Sequence, residues 1–264
     1  MENDFKIIIH QFKKDITIYP IGDVHLGSVE HNAAEWKKFI EKIKNEPDSY
    51  VVLVGDLMNN ATRSSVSNIF DEVYSPSQQK KLLIKYLLPI KDKILCAVSG
   101  NHERRSIKDT DDDPTYDIMC KLDLEHLYRR NIAFLKIQIG SEKALKGKYT
   151  ASYMLAVTHG AGGGIYTGAA VNRNERFGYT IEGLDCLIVG HSHKGTITKP
   201  SKLVFDPRNN VVTQKPFTVV TSQSWLSYGG YAVQKMLLPA STAVADTGLK
   251  LILESRPKNI RTSW

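Results

Sequence analysis

Five short apolar runs in this sequence each stop at residues that bind cations. TIYPI leads into GDVHLG and brings Asp23 and His25, while YVVLV leads into GD and brings Asp56, with Asn59 and Asn60 close behind. ILCAV leads into SGNHERR, which holds Asn101, His102, Glu103, Arg104 and Arg105. YMLAV leads into THGAGGG with His159, and DCLIV into GHSH with His191 and His193. Carboxylate and amide oxygens with imidazole nitrogens, and no thiolate, are a donor set for Mn, Fe or Zn rather than for Ca, or for Mg held by oxygens alone. Seven such residues, Asp23, His25, Asp56, Asn101, His159, His191 and His193, are too many for one tetrahedral zinc. They suit two ions about 3.5–4 Å apart, the arrangement used for in-line displacement at phosphorus. In Asp-x-His and His-x-His, both side chains fall on one side if the segment is extended, because side-chain direction repeats every two residues.

The His191 and His193 pair alone would also suit a polar loop after a strand. The pattern gains its force from repetition. Ligands of open α/β sheets bind outside the carboxyl ends of the strands, so five ends of this kind are expected to converge on one crevice.

The elements that must hold these ends are read from periodicity. HNAAEWKKFIEKI places Trp36, Phe39, Ile40 and Ile43 at helical spacing and predicts a helix over 31–45. QQKKLLIKYLLPI repeats the pattern with Leu82, Leu83, Tyr86 and Leu87 before Pro89 breaks it. DDDPTYDIMCKLDLEHLYRR opens on acids and Pro114 and closes on Arg129 and Arg130, which predicts a helix whose ends complement its dipole. Beyond Asn131, IAFLKIQI and YTASYMLAV read as strands joined across a Gly- and Lys-rich turn. KLVFDPRNNVVTQ carries turn chemistry between β-type runs, and LKLILES reads as a last strand.

The chain has 264 residues, 42% hydrophobic and 24% charged, without internal repeats or low-complexity tracts. Strands alternating with helices, followed by a strand-rich half, predict one α/β unit with two packed sheets. It is expected to form a single domain over 1–264, with a motif core at 16–195 and a β-rich part, 196–264, completing the second sheet. No apolar run approaches the roughly 18 residues of a membrane span. MENDFKIIIHQFKKD scatters charge where a secretory signal would be apolar. Cys96 and Cys186 sit in apolar runs and Cys120 in a helical one, as expected of a reduced, cytoplasmic protein. The net charge of +7 suits an anionic substrate such as nucleic acid, and equally a basic solvated surface.

Asp-x-His, Gly-Asp, Gly-Asn-His-Glu, a lone His and Gly-His-x-His, in that order from Asp23 to His193, resemble the calcineurin-like metallophosphoesterase superfamily. The resemblance implies a four-layer α/β-β/α sandwich of two packed mixed sheets flanked by helices, with the metal site at the carboxyl ends of strands. It implies that Asp23, His25 and His193 hold one metal, that Asn101, His159 and His191 hold a second, and that Asp56 bridges them. The cofactors would be two divalent transition-metal ions, Mn first and then Fe, Zn or Ni. A hydroxide bridging them would attack phosphorus, and His102, itself no ligand, would be catalytic through the leaving oxygen or the charged transition state. Asn59 stands where many members carry a second acid, and Gly-Asn-His-Glu is shared with Ser/Thr protein phosphatases whose neighbouring residues this chain lacks.

Around this core, Arg104, Arg105 and Asn59 are candidate substrate contacts, one of the arginines being expected at the plain surface. Glu103 would either orient His102 or pair with an arginine. The Gly-rich stretch 160–164 would present backbone amides to a phosphate or serve as a mobile connection. His10, His31 and His126 are expected to be structural or superficial. The leading reading is a phosphodiesterase acting on nucleic acid, with Lys194, Lys199 and the aromatic residues Tyr166, Phe177, Tyr179 and Trp225 as possible contacts to DNA or RNA. A phosphomonoesterase acting on a phosphoprotein, nucleotide or small metabolite uses the same metals, and a metal-free binding scaffold would have lost ligands that are all present here.

Overall fold

The computed structural model describes residues 4–63, 65, 69–140 and 151–264. The Gly- and Lys-rich turn expected before Ala151 lies outside them. Among the described residues the chain forms two six-stranded sheets and one separate two-stranded ribbon.

The first sheet is built around runs that are buried on both faces. β2 (Ile16–Ile21), β3 (Ser49–Leu53), β4 (Ile94–Val98) and the short β5 (Tyr128–Arg129) pair in parallel. Near-continuous burial is what a parallel sheet covered on both sides demands, and all five residues of β4 are buried. α1 (Ala33–Asn45) lies on this sheet through Trp36, Phe39, Ile40 and Ile43, with the Phe39 ring 5.6 Å from Tyr19 of β2. Asn32 caps α1 by accepting the N–H of Glu35. α2 (Pro76–Leu87) starts with a capping box at Ser75 and Gln78. A 3₁₀ turn, Leu88–Lys93, follows and absorbs Pro89.

The second sheet runs in the order β1 (Ile8–Phe12), β6 (Ile132–Ile139), β7 (Ala151–Thr158), β8 (Cys186–Val189), β12 (Thr218–Thr221) and β9 (Thr196–Thr198). β6 alternates buried and half-buried residues along its length, and α5 (Thr167–Tyr179) packs on β12, where Asn174 donates to the Thr221 hydroxyl at 3.1 Å. The two sheets are tied at both flanks. His10 on β1 donates through Nε2 to the carbonyl of Leu95 on β4 (2.8 Å), and the Tyr153 hydroxyl on β7 accepts the N–H of Asn259 (2.8 Å). The result is a mixed α/β fold in which two large mixed sheets are flanked by helices.

Several expectations are corrected. The helix predicted over 111–130 is only α4 (Pro114–Lys121). Leu122 tightens onto carbonyls of the last turn and Asp123 takes a left-handed φ of 62°. The chain then enters a 3₁₀ turn at Glu125–Leu127 and pairs Tyr128 with Ala97. Burying Leu127 and Tyr128 against β4 outweighs continuing the helix, and Arg129 caps no helix. It is buried and donates to the carbonyls of Lys6, His126 and Tyr128. Residues 196–264 do not all complete the second sheet. β9 and β12 do, but β13 (Lys250–Ser255) pairs antiparallel with β2 and is followed by a further strand, β14 (Lys258–Ser263), at the edge of the first sheet. The turn in KLVFDPRNNVVTQ joins β10 (Ser201–Asp206) to β11 (Val211–Pro216), which pair only with each other.

Candidate metal centre

β2, β3 and β4 of one sheet and β7 and β8 of the other end at the same place, so the residues after all five strands meet. The expected extended presentation is wrong in its detail. Asp23, His25, Asp56, His191 and His193 all have left-handed φ, between 47° and 69°. That conformation costs a non-glycine residue roughly 1–2 kcal/mol. Alternate residues are thus thrown to one side by kinks beyond the strand ends, not by a pleat. Tight approach explains the glycines: a Cβ on Gly55 (φ 87°) would stand 2.5 Å from the nitrogen of Gly100, and one on Gly100 would stand 2.1 Å from Asp56 Oδ1.

The donors form overlapping groups. Asp23, His25 and His193 offer ligand atoms within 4.8 Å of one another, as do Asp56, His159 and His191, and a third set, His25, Asp56 and His102, links the two. In the first group His193 Nε2 lies 3.3 Å from Asp23 Oδ1 and 3.1 Å from His25 Nε2. In the second, Asn101 Oδ1 lies 2.9 Å from His159 Nε2 and 2.7 Å from His191 Nδ1. Asp56 Oδ2 stands between the groups, 3.9 Å from His25 Nε2 and 3.3 Å from His159 Nε2. Asp56 Oδ1 is held by the backbone N–H of His102 at 2.8 Å. Asp23 is anchored by the backbone N–H of His191 and receives the Ser222 hydroxyl at 3.4 Å.

Protonation states test whether these residues fit a metal. His159 donates from Nδ1 to the carbonyl of Val54 (2.8 Å), so its neutral form turns a lone pair at Nε2 onto the Asp56 carboxylate. His191 donates from Nε2 to the carbonyl of Gly162 (3.0 Å), so its Nδ1 lone pair faces Asn101 Oδ1 and, 3.3 Å away, His159 Nε2. Lone pairs confronting one another and a carboxylate at such distances are relieved by a cation among them, whether a proton or a metal ion, and backbone carbonyls behind the rings are the usual outer support of histidine ligands. His25 has no such partner at Nδ1 among the described residues. The residues fit divalent cations.

The electrostatics agree. Burial opposes charge on His159, yet the Asp56 carboxylate raises its pKa to about 9, a proton taking the cation's place. Asp56 is held well below the ordinary carboxylate range despite its burial, by His159, His102 and His25. Burial, with help from His102 and His193, holds His25 well below the usual imidazole value.

His102 stands apart from the donors in one respect. Its Nδ1 donates to the Asn59 carbonyl at 2.7 Å, and its Nε2, 3.8 Å from Asp56 Oδ2, accepts an N–H from Arg105 Nη2 at 3.0 Å. In this arrangement the lone pair is engaged by a guanidinium. Arg105 also donates to the Asn59 carbonyl at 3.1 Å. Arg104 points elsewhere and donates to the carbonyls of Ser99 and Arg130. The Asn59 side chain turns to Glu72 and not to the cluster. Lys199 donates to the Ile260 carbonyl at 3.3 Å, and Trp225 is core, 5.2 Å from the Trp36 ring. Tyr179 closes the far end of α5 on Phe217, Phe177 lies on the same helix and is partly exposed, and Tyr166 caps its start, on the segment after His159.

Neither role expected of Glu103 is found. It opens α3 (Glu103–Thr110), is fully buried, and accepts the backbone N–H groups of Asp56, Met58 and Gly100. Burial and the nearby Asp56 carboxylate push its pKa up to about 7. A sixth strand end also contributes. After β12, Ser222 and Ser224 reach Asp23, Ser224 donating to its carbonyl at 3.0 Å. Their signal was visible as another apolar run, TVV, ending in small polar residues, TSQS.

A mixed two-sheet α/β fold with a carboxylate–histidine cluster at its strand ends defines a metal-dependent phosphoester hydrolase. Residues 16–195 match the family model described as calcineurin-like phosphoesterase, and the chain belongs to that family. Among solved structures, it is similar to a conserved uncharacterized protein, a predicted phosphoesterase, from Streptococcus pneumoniae TIGR4, at 11% identity and TM-score 0.37, covering 94% of this chain and 93% of that one. It is also similar to a metallophosphoesterase from Sphaerobacter thermophilus, at 12% identity and TM-score 0.39, covering 94% and 87%. At these scores neither likeness adds to the family assignment. Among curated proteins no match was found. No helix among the described residues is long and apolar enough to cross a membrane.

Proposed function

We propose that the protein is a phosphodiesterase acting on nucleic acid through two divalent ions, Mn being the first candidate. The observation that supports the substrate class is the exposure of aromatic side chains on segments that follow the site strands in the chain. Phe70 is 87% exposed after β3, Tyr166 73% after β7 and Tyr228 50% after β12. Exposed aromatic faces beside cationic side chains are stacking platforms for unpaired bases, and the cationic Lys194 lies on the loop after β8.

Asp23, His25 and His193 would hold one ion, Asn101, His159 and His191 the other, and Asp56 both. When bound, the pair supplies Lewis acidity and an acidified water. The chain's own residues do the rest. The Asn59 carbonyl fixes the His102 ring with Nε2 facing the cluster; once Arg105 has turned to a phosphate oxygen and Nε2 has taken up a proton, the ring can pass that proton to the leaving oxygen. Arg105 places a guanidinium beside that nitrogen, ready to bind a phosphate oxygen. The three unpaired cysteines, two of them buried, suit a reducing cytoplasm.

Two assays test the reading. A nitrophenyl phosphodiester and the corresponding monoester are compared with Mn²⁺, and single-stranded DNA is incubated with wild type and Asp56→Asn. Preferred diester turnover and DNA cleavage lost in the variant are expected. A metal-loaded enzyme that prefers the monoester and leaves DNA intact would make it a phosphomonoesterase.

A further inference from the structure

The Gly-rich segment after β7 presents carbonyls, not only amides, to its surroundings. The Gly162 carbonyl accepts His191 Nε2–H at 3.0 Å, the Gly163 carbonyl faces Arg173 Nη1 at 3.4 Å, and the Ile165 carbonyl accepts from Lys194 Nζ. Residues 160–166 are therefore a strap fastened at three points, and two of its fasteners, His191 and Lys194, lie three residues apart on the loop after β8.

His191 needs this support more than His159 does. His159 is 1% exposed and its outer nitrogen is held by the Val54 carbonyl beyond the end of β3. His191 is only half buried and has a left-handed φ of 69°. Among the described residues, the bond to Gly162 is the one hydrogen bond of its outer nitrogen, Nε2. An imidazole can carry its proton on either nitrogen, and only the Nε2–H form leaves Nδ1 free toward Asn101 and His159. The strap carbonyl makes that choice.

We propose that Gly162 is a positioning residue for the metal centre: its carbonyl holds His191 in the tautomer and orientation that ligate, and Lys194 latches the strap in place through Ile165. The inference rests on the two-ion reading. Glycine is favoured at 162 because its φ is 82°, a conformation strained for any residue with a Cβ.

The test is calorimetric titration of Mn²⁺ into wild type, Gly162→Ala, Lys194→Ala and Lys194→Arg, with ¹⁵N NMR of the His191 ring in the metal-free protein. Two ions are expected in the wild type. Gly162→Ala should weaken one of them about 10–100-fold and leave the other unchanged, the usual cost of losing an outer partner of a histidine ligand. Lys194→Ala should weaken the same ion less, Lys194→Arg should restore it, and the wild-type ring should carry its proton on Nε2. Should Gly162→Ala fail to fold, the Lys194 variants, which leave the backbone intact, still decide. Variants that bind both ions as the wild type does, even if their Tm falls, overturn the proposal while leaving the metal site standing, as does an Nδ1–H ring in the wild type. A wild type that binds no Mn²⁺ removes the metal reading and the proposal with it.

Discussion

Glu103 Oε2 accepts the backbone N–H of Asp56 at 3.0 Å, and the same oxygen accepts the N–H of Gly100 at 2.9 Å. Its other oxygen accepts Met58 N–H at 2.9 Å. One buried side chain thus staples the turn after β3 to the turn after β4. The carboxylate that stands between the two donor groups and the loop that carries Asn101 and His102 are positioned together.

Removing that staple should cost stability before it costs chemistry. Glu103→Ala would leave three buried N–H groups without their acceptor, each worth about 1–3 kcal/mol. Urea unfolding of the metal-free protein should show a loss of about 3 kcal/mol or more. A loss under about 1 kcal/mol would mean that water takes the carboxylate's place.

Asp56 and His102 should separate metal binding from turnover. Asp56→Ala is expected to lose metal and activity together, since its Oδ2 serves both groups. His102→Ala should keep its metals and lose about 10²–10⁴ in rate, the usual contribution of a positioned acid. Metal analysis alongside diester turnover reads both, and an emptied site in His102→Ala would contradict its role.

The adjacent arginines should behave differently. Arg105 touches His102, so Arg105→Ala should reduce kcat/KM on the diester by about 10-fold or more, in line with a lost charged hydrogen bond of about 1.5–3 kcal/mol. Arg104 is spent on the carbonyls of Ser99 and Arg130, so Arg104→Ala should lower Tm and leave KM unchanged. Equal kinetic losses in both would remove the distinction.

Metal binding should release a proton and weaken on acidification. In the metal-free fold the Asp56 carboxylate raises the pKa of His159 to about 9, above the usual imidazole value of about 6.5. Its protonated pairing with Asp56 therefore stabilises the metal-free protein fully below about 6.5, and this contribution is lost as pH rises through about 9. A metal must displace that proton. Mn²⁺ affinity should rise with pH toward 9, and titrations at pH 7.5 in buffers of different ionisation enthalpy should register the proton leaving. Binding heats independent of buffer would show that His159 is already neutral.

What was legible in the sequence was local. The five strand ends could be lined up because an apolar run followed by Gly, Asp, Asn or His is a short-range pattern, and the order of those blocks carried the family. α1 and α2 were equally plain, since their apolar faces recur at helical spacing. The reading failed where distant packing outbid local preference. Leu127 and Tyr128 left a helical pattern to pack on β4, and the chain beyond residue 195 divided between the two sheets because pairing partners are chosen in space.

The sequence by itself determined which side chains were available for metal chemistry and in what order, because donor type and the turns that follow strands are written residue by residue. Only the tertiary structure decided how they are held. The left-handed kinks at Asp23, His25, Asp56, His191 and His193, the Glu103 staple, and the carbonyls of Val54 and Gly162 behind His159 and His191 all join residues far apart in the chain. Backbone carbonyls and amides carry no residue identity, so the partners that set a tautomer or fix a carboxylate leave no mark in the sequence until the chain is folded around them.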